Sequence, residues 1–151
     1  MRPRELRSVC FMDLASGFQI DSPNVFVPWG IREDELRSLL DAHGLKRVTH
    51  GYYTLPCVSL DGLSHQLGFH FYPRSDGILN ELEFFRRSYE SQEASFNEFQ
   101  EHFESAFGKP TNEQSGGQGF PSFSWNLPGA QIVHYVFDRF GPEEHMRVRK
   151  I

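Results

Sequence analysis

The strongest constraint on this chain is an internal echo. A single spacing of 64 residues relates Gly44 to Gly108, Gly77 to Gly141 and His70 to His134. At that spacing Leu39 meets Phe103, Ala42 meets Ala106, Phe69 meets Val133, Phe71 meets Tyr135, Leu82 meets Met146 and Phe84 meets Val148. Every pair is apolar on apolar. Side chains on a strand alternate between two faces, so one residue of slip would invert all inward positions. The shared register reads as a tandem duplication, with one copy over 29–87 and a second over 95–151. The rival explanation is that helices and hairpins of ordinary length align by coincidence.

Each copy reads as a helix followed by three strands. In the first, Trp29-Gly30 opens a helix whose Leu36, Leu39, Leu40 and His43 share one side. Asp34 and Glu35 suit its start, and Gly44 the left-handed position just past its end. Strands are expected over 52–60, 65–72 and 78–86, with turns at Asp61-Gly62 and at 73–77. Leu67, Phe69 and Phe71 oppose Gln66, Gly68 and His70, while Leu82 and Phe84 oppose Glu81, Glu83 and Phe85. In the second copy Ser95 and Glu98 have capping-box spacing, and Phe96, Phe99, Phe103, Ala106 and Phe107 form a helical stripe that Gly108-Lys109-Pro110 ends. After a Gly/Ser/Gln-rich loop over 111–119, strands are expected at 123–127, 130–138 and 144–150, turned by Pro128-Gly129 and Phe140-Gly141-Pro142. Residues 1–17 fit no period and read as an N-terminal arm before one domain over 18–151. The predicted fold is α+β: a two-layer sandwich, a tandem αβββ repeat with helices on one face of an antiparallel sheet and water on the other.

That open face is the candidate binding surface. The first copy is expected to present Gln66, His70, Tyr72, Glu81, Glu83 and Phe85, and the second His134, Val136, His145, Arg147 and Arg149. Of these, His70, Tyr72, Glu81, Glu83, Phe85, His134, Arg147 and Arg149 are the partner-binding candidates. One half is acidic and the other basic, an arrangement that orients a complementary protein. The plainer reading is that such charges keep the wet side soluble. Phe85 argues for more, because Phe84 and Phe85 are adjacent and one ring must leave the local core; the arm could still cover it.

Composition narrows the partner. The net charge of −5 disfavours non-specific nucleic-acid or anionic-membrane binding and suits a basic protein. The 15 Phe, 5 Tyr and 2 Trp supply large rings for core and anchor alike. Cys10 and Cys57 cannot outline a disulfide framework, and no apolar run reaches signal or membrane-span length, so cytoplasmic residence is expected.

No catalytic, metal or cofactor motif emerges. His65 and His70 are five apart and face opposite ways on a strand. Cys57 sits in an apolar strand, where a thiol is inert. Gly116-Gly117-Gln118-Gly119 lacks the lysine and helix of a phosphate loop, and Glu81 with Glu83 face water. The main expectation is a non-enzymatic binding or inhibitor protein. The alternatives are a small enzyme or ligand-binding domain with a pocket near His50, His65 or Cys57, and a self-associating structural module.

Over 29–151 the tandem helix-plus-sheet plan resembles the β-lactamase inhibitor protein family, and in size and acidity the chain is similar to small bacterial immunity proteins. The resemblance is architectural and without a diagnostic motif; the paired disulfides of a secreted inhibitor are missing. It implies a rigid surface that binds another macromolecule, and no site residue is carried over.

Overall fold

The computed structural model describes residues 11–72, 76–116, 119–138 and 142–151. Residues 1–10 of the expected arm, with parts of the expected turns and loop (73–75, 117–118 and 139–141), lie outside them. Within the described residues a hairpin, β1 (Gly17–Ile20) and β2 (Val25–Pro28), precedes α1 (Glu33–Leu40) with its 3-10 extension Asp41–His43. Then follow β3 (Lys46–Thr49), β4 (Tyr52–Ser59), β5 (Leu63–His70) and β6 (Glu81–Phe85). Next come α2 (Gln92–Phe107), β7 (Asn112–Ser115), β8 (Pro121–Leu127), β9 (Ala130–Asp138) and β10 (Pro142–Lys150). The fold is α+β and mostly sheet. β3 to β10 form one eight-stranded sheet in the order β3-β4-β5-β6-β10-β9-β8-β7. Neighbours are antiparallel, so each helix-then-four-strands run starts at a sheet edge and meanders inward to a central β6–β10 seam.

One face of the sheet is the core. Leu55, Leu67, Phe69, Leu82, Phe84, Trp125, Ile132, Met146 and Val148 are sealed there. The α2 stripe covers them as its spacing predicts, with Phe96, Phe99, Phe103, Ala106 and Phe107 buried. The Phe103 ring meets Phe84 edge-on at 5.5 Å and Trp125 at 5.8 Å. Phe18 of β1 meets Phe84 at 5.6 Å, so the hairpin covers part of the same layer. Residues 11–17 are bound to it: Leu14 is buried, and the Met12 amide donates to the Ala106 carbonyl at 2.7 Å. Both buried indoles find acceptors, Trp29 at the Leu14 carbonyl and Trp125 at the Gly108 carbonyl, each at 2.8 Å.

Several elements depart from expectation. α2 starts before Ser95, because Ser91 is extended and its Oγ accepts from the Ala94 amide at 3.0 Å; Ser95 is buried one turn inside. On α1, Leu36 and Leu40 are buried but Leu39 is exposed. β3 and β7 were not expected. They are edge strands of exposed residues, Lys-Arg-Val-Thr and Asn-Glu-Gln-Ser, which pair through backbone alone and need no apolar alternation. β7 thus replaces part of the expected flexible loop.

The single spacing of 64 also fails on one strand. Met146 and Val148 of β10 point inward as Leu82 and Phe84 of β6 do. On β5 the inward residues are Leu67 and Phe69, but on β9 they are His134 and Val136, leaving Val133 and Tyr135 on the other face. The hairpins explain it. β4 and β5 pair Ser59 with Leu63 across a three-residue turn, whereas β8 and β9 pair Leu127 with Ala130 across two. The loss of one residue inverts the strand that follows.

Candidate functional site

Corrected register changes the open face. His134 and Val136, expected there, are 0 % and 2 % exposed on the core side. In their place β9 presents Val133, Tyr135 and Phe137. Phe137 is 51 % exposed although it lies on an interior strand, with five strands to one side of it and two to the other in the sheet order. Tyr135 stacks on His145 with ring centroids 5.0 Å apart, and Phe137 meets His145 edge-on at 6.2 Å. The sequence hides this row, because every position of 132–137 except His134 is apolar or aromatic and alternation is uninformative there.

The charges of the two halves meet at the seam. β10 pairs with β6 so that Arg147 lies opposite Glu83 and Arg149 opposite Glu81. The Arg147 guanidinium donates to Glu81, and Arg149 reaches Glu81 Oε1 at 3.2 Å. His70 Nε2 lies 2.9 Å from Glu83 Oε1, with Arg147 3.9 Å from the other oxygen. Tyr52 stacks on His70 at 4.5 Å and points its hydroxyl at Glu83, 3.5 Å away. Gly68 makes that possible, since a Cβ there would stand 2.9 Å from the Tyr52 hydroxyl oxygen. Burial pushes the Glu83 carboxyl up, but the hydrogen bond with His70 and the Arg147 charge outweigh it and hold it below the ordinary value. Burial first, and then Glu83, pushes the Tyr52 phenol up to about 12.

The expected separation into an acidic and a basic half therefore does not hold. Glu81 is 2 % exposed rather than solvent-facing, and both carboxylates are held by cations across the seam. Phe85 and His70 are half-buried on the open face; Arg149 is exposed. Tyr72 lies past the end of β5, beside His50.

On the core side lies a second polar cluster that the sequence did not announce. His134 Nδ1 is 2.8 Å from Gln100 Oε1, and Gln100 Nε2 donates to Glu104 Oε2 at 2.8 Å. That amide orientation, inferred from the network, makes Nδ1 the protonated nitrogen. Nε2 lies 2.5 Å from Glu144 Oε2, whose other oxygen accepts from Ser95 Oγ at 3.0 Å. Two lone pairs would repel at such a distance, so a proton sits between His134 and Glu144. The Phe96 ring stacks on the imidazole at 4.0 Å. Burial lowers the His134 pKa, and Glu144 offsets part of that. The cluster ties α2 to β9 and β10, and its histidine has no exposed surface.

Of the residues of the expected pocket, Cys57 and His65 are brought together and line one cleft of about 530 Å³, and His50 lies apart from them. Cys57 and His65 pair across β4 and β5, while His50 stacks on Tyr72 at the opposite end of those strands. The Cys57 Sγ lies 3.9 Å from His65 Nε2, which Ser59 Oγ approaches to 2.5 Å. Burial raises the thiol to about 12 and lowers the imidazole to about 4. Both are neutral near pH 7, the reverse of the thiolate–imidazolium pair that nucleophilic catalysis needs. Among the described residues no group of three or more His, Cys, Asp or Glu is placed to hold a metal ion. No described helix is long and apolar enough to cross a membrane.

No family model, curated protein or solved structure matches this chain.

Proposed function

We propose that this is a non-enzymatic protein-binding protein of the inhibitor or immunity type, which meets its target through the open face of the sheet. The observation that carries the reading is the Tyr135–His145–Phe137 row, with Phe137 half-exposed on a strand. A large ring held on a rigid element loses little entropy on docking and is the kind of residue that anchors an interface. Arg147, opposite Val133 and two residues from His145, gives the row a cationic neighbour. Glu81 and Glu83 are engaged at the seam, so a basic toxin or enzyme would meet acids elsewhere on the molecule.

The finer reading of the fold belongs to the same proposal: two duplicated units with their helices on one face. The repeated order of a helix and four strands, with each run going from a sheet edge to the central seam, supports it. So does the parity shared by β6 and β10. The inverted β9 requires one hairpin to have changed length since duplication.

Co-expression with the products of adjacent genes is the first experiment, and a co-purifying partner is the expected result. Phe137→Ala with Tyr135→Ala should then weaken binding at least about tenfold, with the circular dichroism spectrum unchanged. Undiminished affinity would remove this face from consideration. The mass of the chain alone in solution tests the rival self-associating module.

A further inference from the structure

A cleft of about 420 Å³ lies between α1 and the β3–β4 edge of the sheet, lined by Arg32, Arg37, Arg47, His50, Tyr53 and Tyr72. Its chemistry differs from that of the seam, where each arginine has a carboxylate. Arg32, Arg37 and Arg47 form no ion pair with any carboxylate among the described residues. Two acids, Glu33 and Asp34, also line the cleft, so three guanidiniums outnumber two carboxylates before His50 is counted. One of those carboxylates is engaged, because Glu33 Oε1 accepts from the Tyr53 hydroxyl at 2.8 Å.

The walls are built rather than loose. Tyr72 is 38 % exposed, yet its ring is fixed on two sides by glycines with positive φ. A Cβ on Gly51 would stand 2.6 Å from Tyr72 Cδ2, and one on Gly77 2.6 Å from its hydroxyl oxygen. Arg32 Nη1 comes to the same Gly77 position, at 3.8 Å. His50 stacks on the Tyr72 ring at 4.8 Å. On the facing wall Arg47 lies opposite Tyr53 in the β3–β4 register, and Arg37 and Arg47 both act electrostatically on the Tyr53 hydroxyl. Three guanidiniums around a fixed aromatic wall, with two carboxylates among them of which one is engaged by Tyr53, leave the cleft with an excess of cationic donors suited to an anion.

We propose that this cleft binds a small phosphate-type oxyanion, held by Arg32, Arg37 and Arg47. Guanidinium forks match two oxygens at a time, which favours phosphate or a phosphate monoester over a halide. The cleft is remote from the Tyr135–Phe137 row, so the fate of this site is independent of the protein-binding face.

The test is isothermal titration of the full chain, in chloride buffer, with inorganic phosphate and with pyrophosphate. Saturable one-to-one binding is expected, tighter for pyrophosphate. Arg37→Gln and Arg47→Gln, both at exposed side chains, should each weaken it about tenfold, the worth of one charge-assisted hydrogen bond. Asp34→Asn, which removes a lining charge of the wrong sign, should tighten it. Absence of saturable heat would overturn the site. So would equal weakening by Lys109→Gln, outside the cleft, because that pattern means diffuse attraction to the whole surface.

Discussion

At the scale of single residues, the buried histidines carry the clearest consequences. His65 is held near 4 against an ordinary value of 6.5. Above 6.5 the imidazole is neutral in folded and unfolded chains, and its effect on stability is constant. Between 6.5 and about 4 the unfolded chain takes up a proton that the folded chain refuses, so stability falls as pH falls. The whole effect is roughly 3 kcal/mol. Urea midpoints measured from pH 7 to 4.5 should decline less steeply in His65→Leu than in the parent; equal slopes would mean that the ring is hydrated. His134 is a different case because it has a carboxyl partner, Glu144, within hydrogen-bond distance. Removing Glu144 as Ala strands both the imidazole and the Ser95 hydroxyl, at a cost of about 3 kcal/mol. His134→Ala should cost a similar amount. The double variant should fall well short of the sum, since the second change deletes a group already left unmatched. Simple additivity in denaturant titrations would contradict the shared proton.

At the scale of elements, α2 separates a sequence signal from its structural use. Ser95 and Glu98 have capping-box spacing, yet Ser91 caps the helix while Ser95 donates to Glu144 and Glu98 pairs with Arg86 at 2.6 Å. Ser91→Ala should therefore cost about 1 kcal/mol as a lost cap. Glu98→Ala should cost less than about 0.5 kcal/mol, because that pair is exposed. Thermal melts of the two variants decide between the caps. The same contrast marks what the sequence could disclose. The α2 stripe was legible from its helical spacing, β4 from its aromatic and β-branched content, and the inward faces of β5, β6 and β10 because apolar and polar residues alternate in them. β3 and β7 were not, since an edge strand of polar residues has no face to bury. β9 was misread because residues 132–137 are apolar on both faces, and the coincidence of His70 with His134 then fixed the wrong parity. Hairpin length, three residues against two, held the needed information, but only once the strand ends were known. The seam network was half legible. Glu81, Glu83, Arg147 and Arg149 were singled out as surface charges, and only the β6–β10 pairing turns them into partners. The arginine cleft draws on three separate elements and had no local signature at all.

At the scale of the molecule, the question is whether the two halves of the sheet unfold together. Backbone pairing across the seam is short, with three registered pairs from Glu81–Arg149 to Glu83–Arg147. Side chains extend the junction on both faces. On the open face Arg147 and Arg149 hold the sealed carboxylate of Glu81. On the core face Phe103, from the helix of the second half, rests on Phe84 of the first. Exposing the seam would uncover Leu82, Phe84, Met146 and Val148, all at most 2 % exposed, and each such side chain is worth about 1.5–3 kcal/mol of burial. Either half surviving alone would leave its share of that surface in water, so the chain should unfold in one step. Two native reporters test it, because Trp29 precedes α1 and Trp125 lies in β8. The fluorescence transitions of Trp29→Phe and Trp125→Phe should each coincide with the loss of helix signal in the same variant. A Trp29 transition separated from that of the sheet, with a plateau between, would mean that the seam is a contact between two independent bodies.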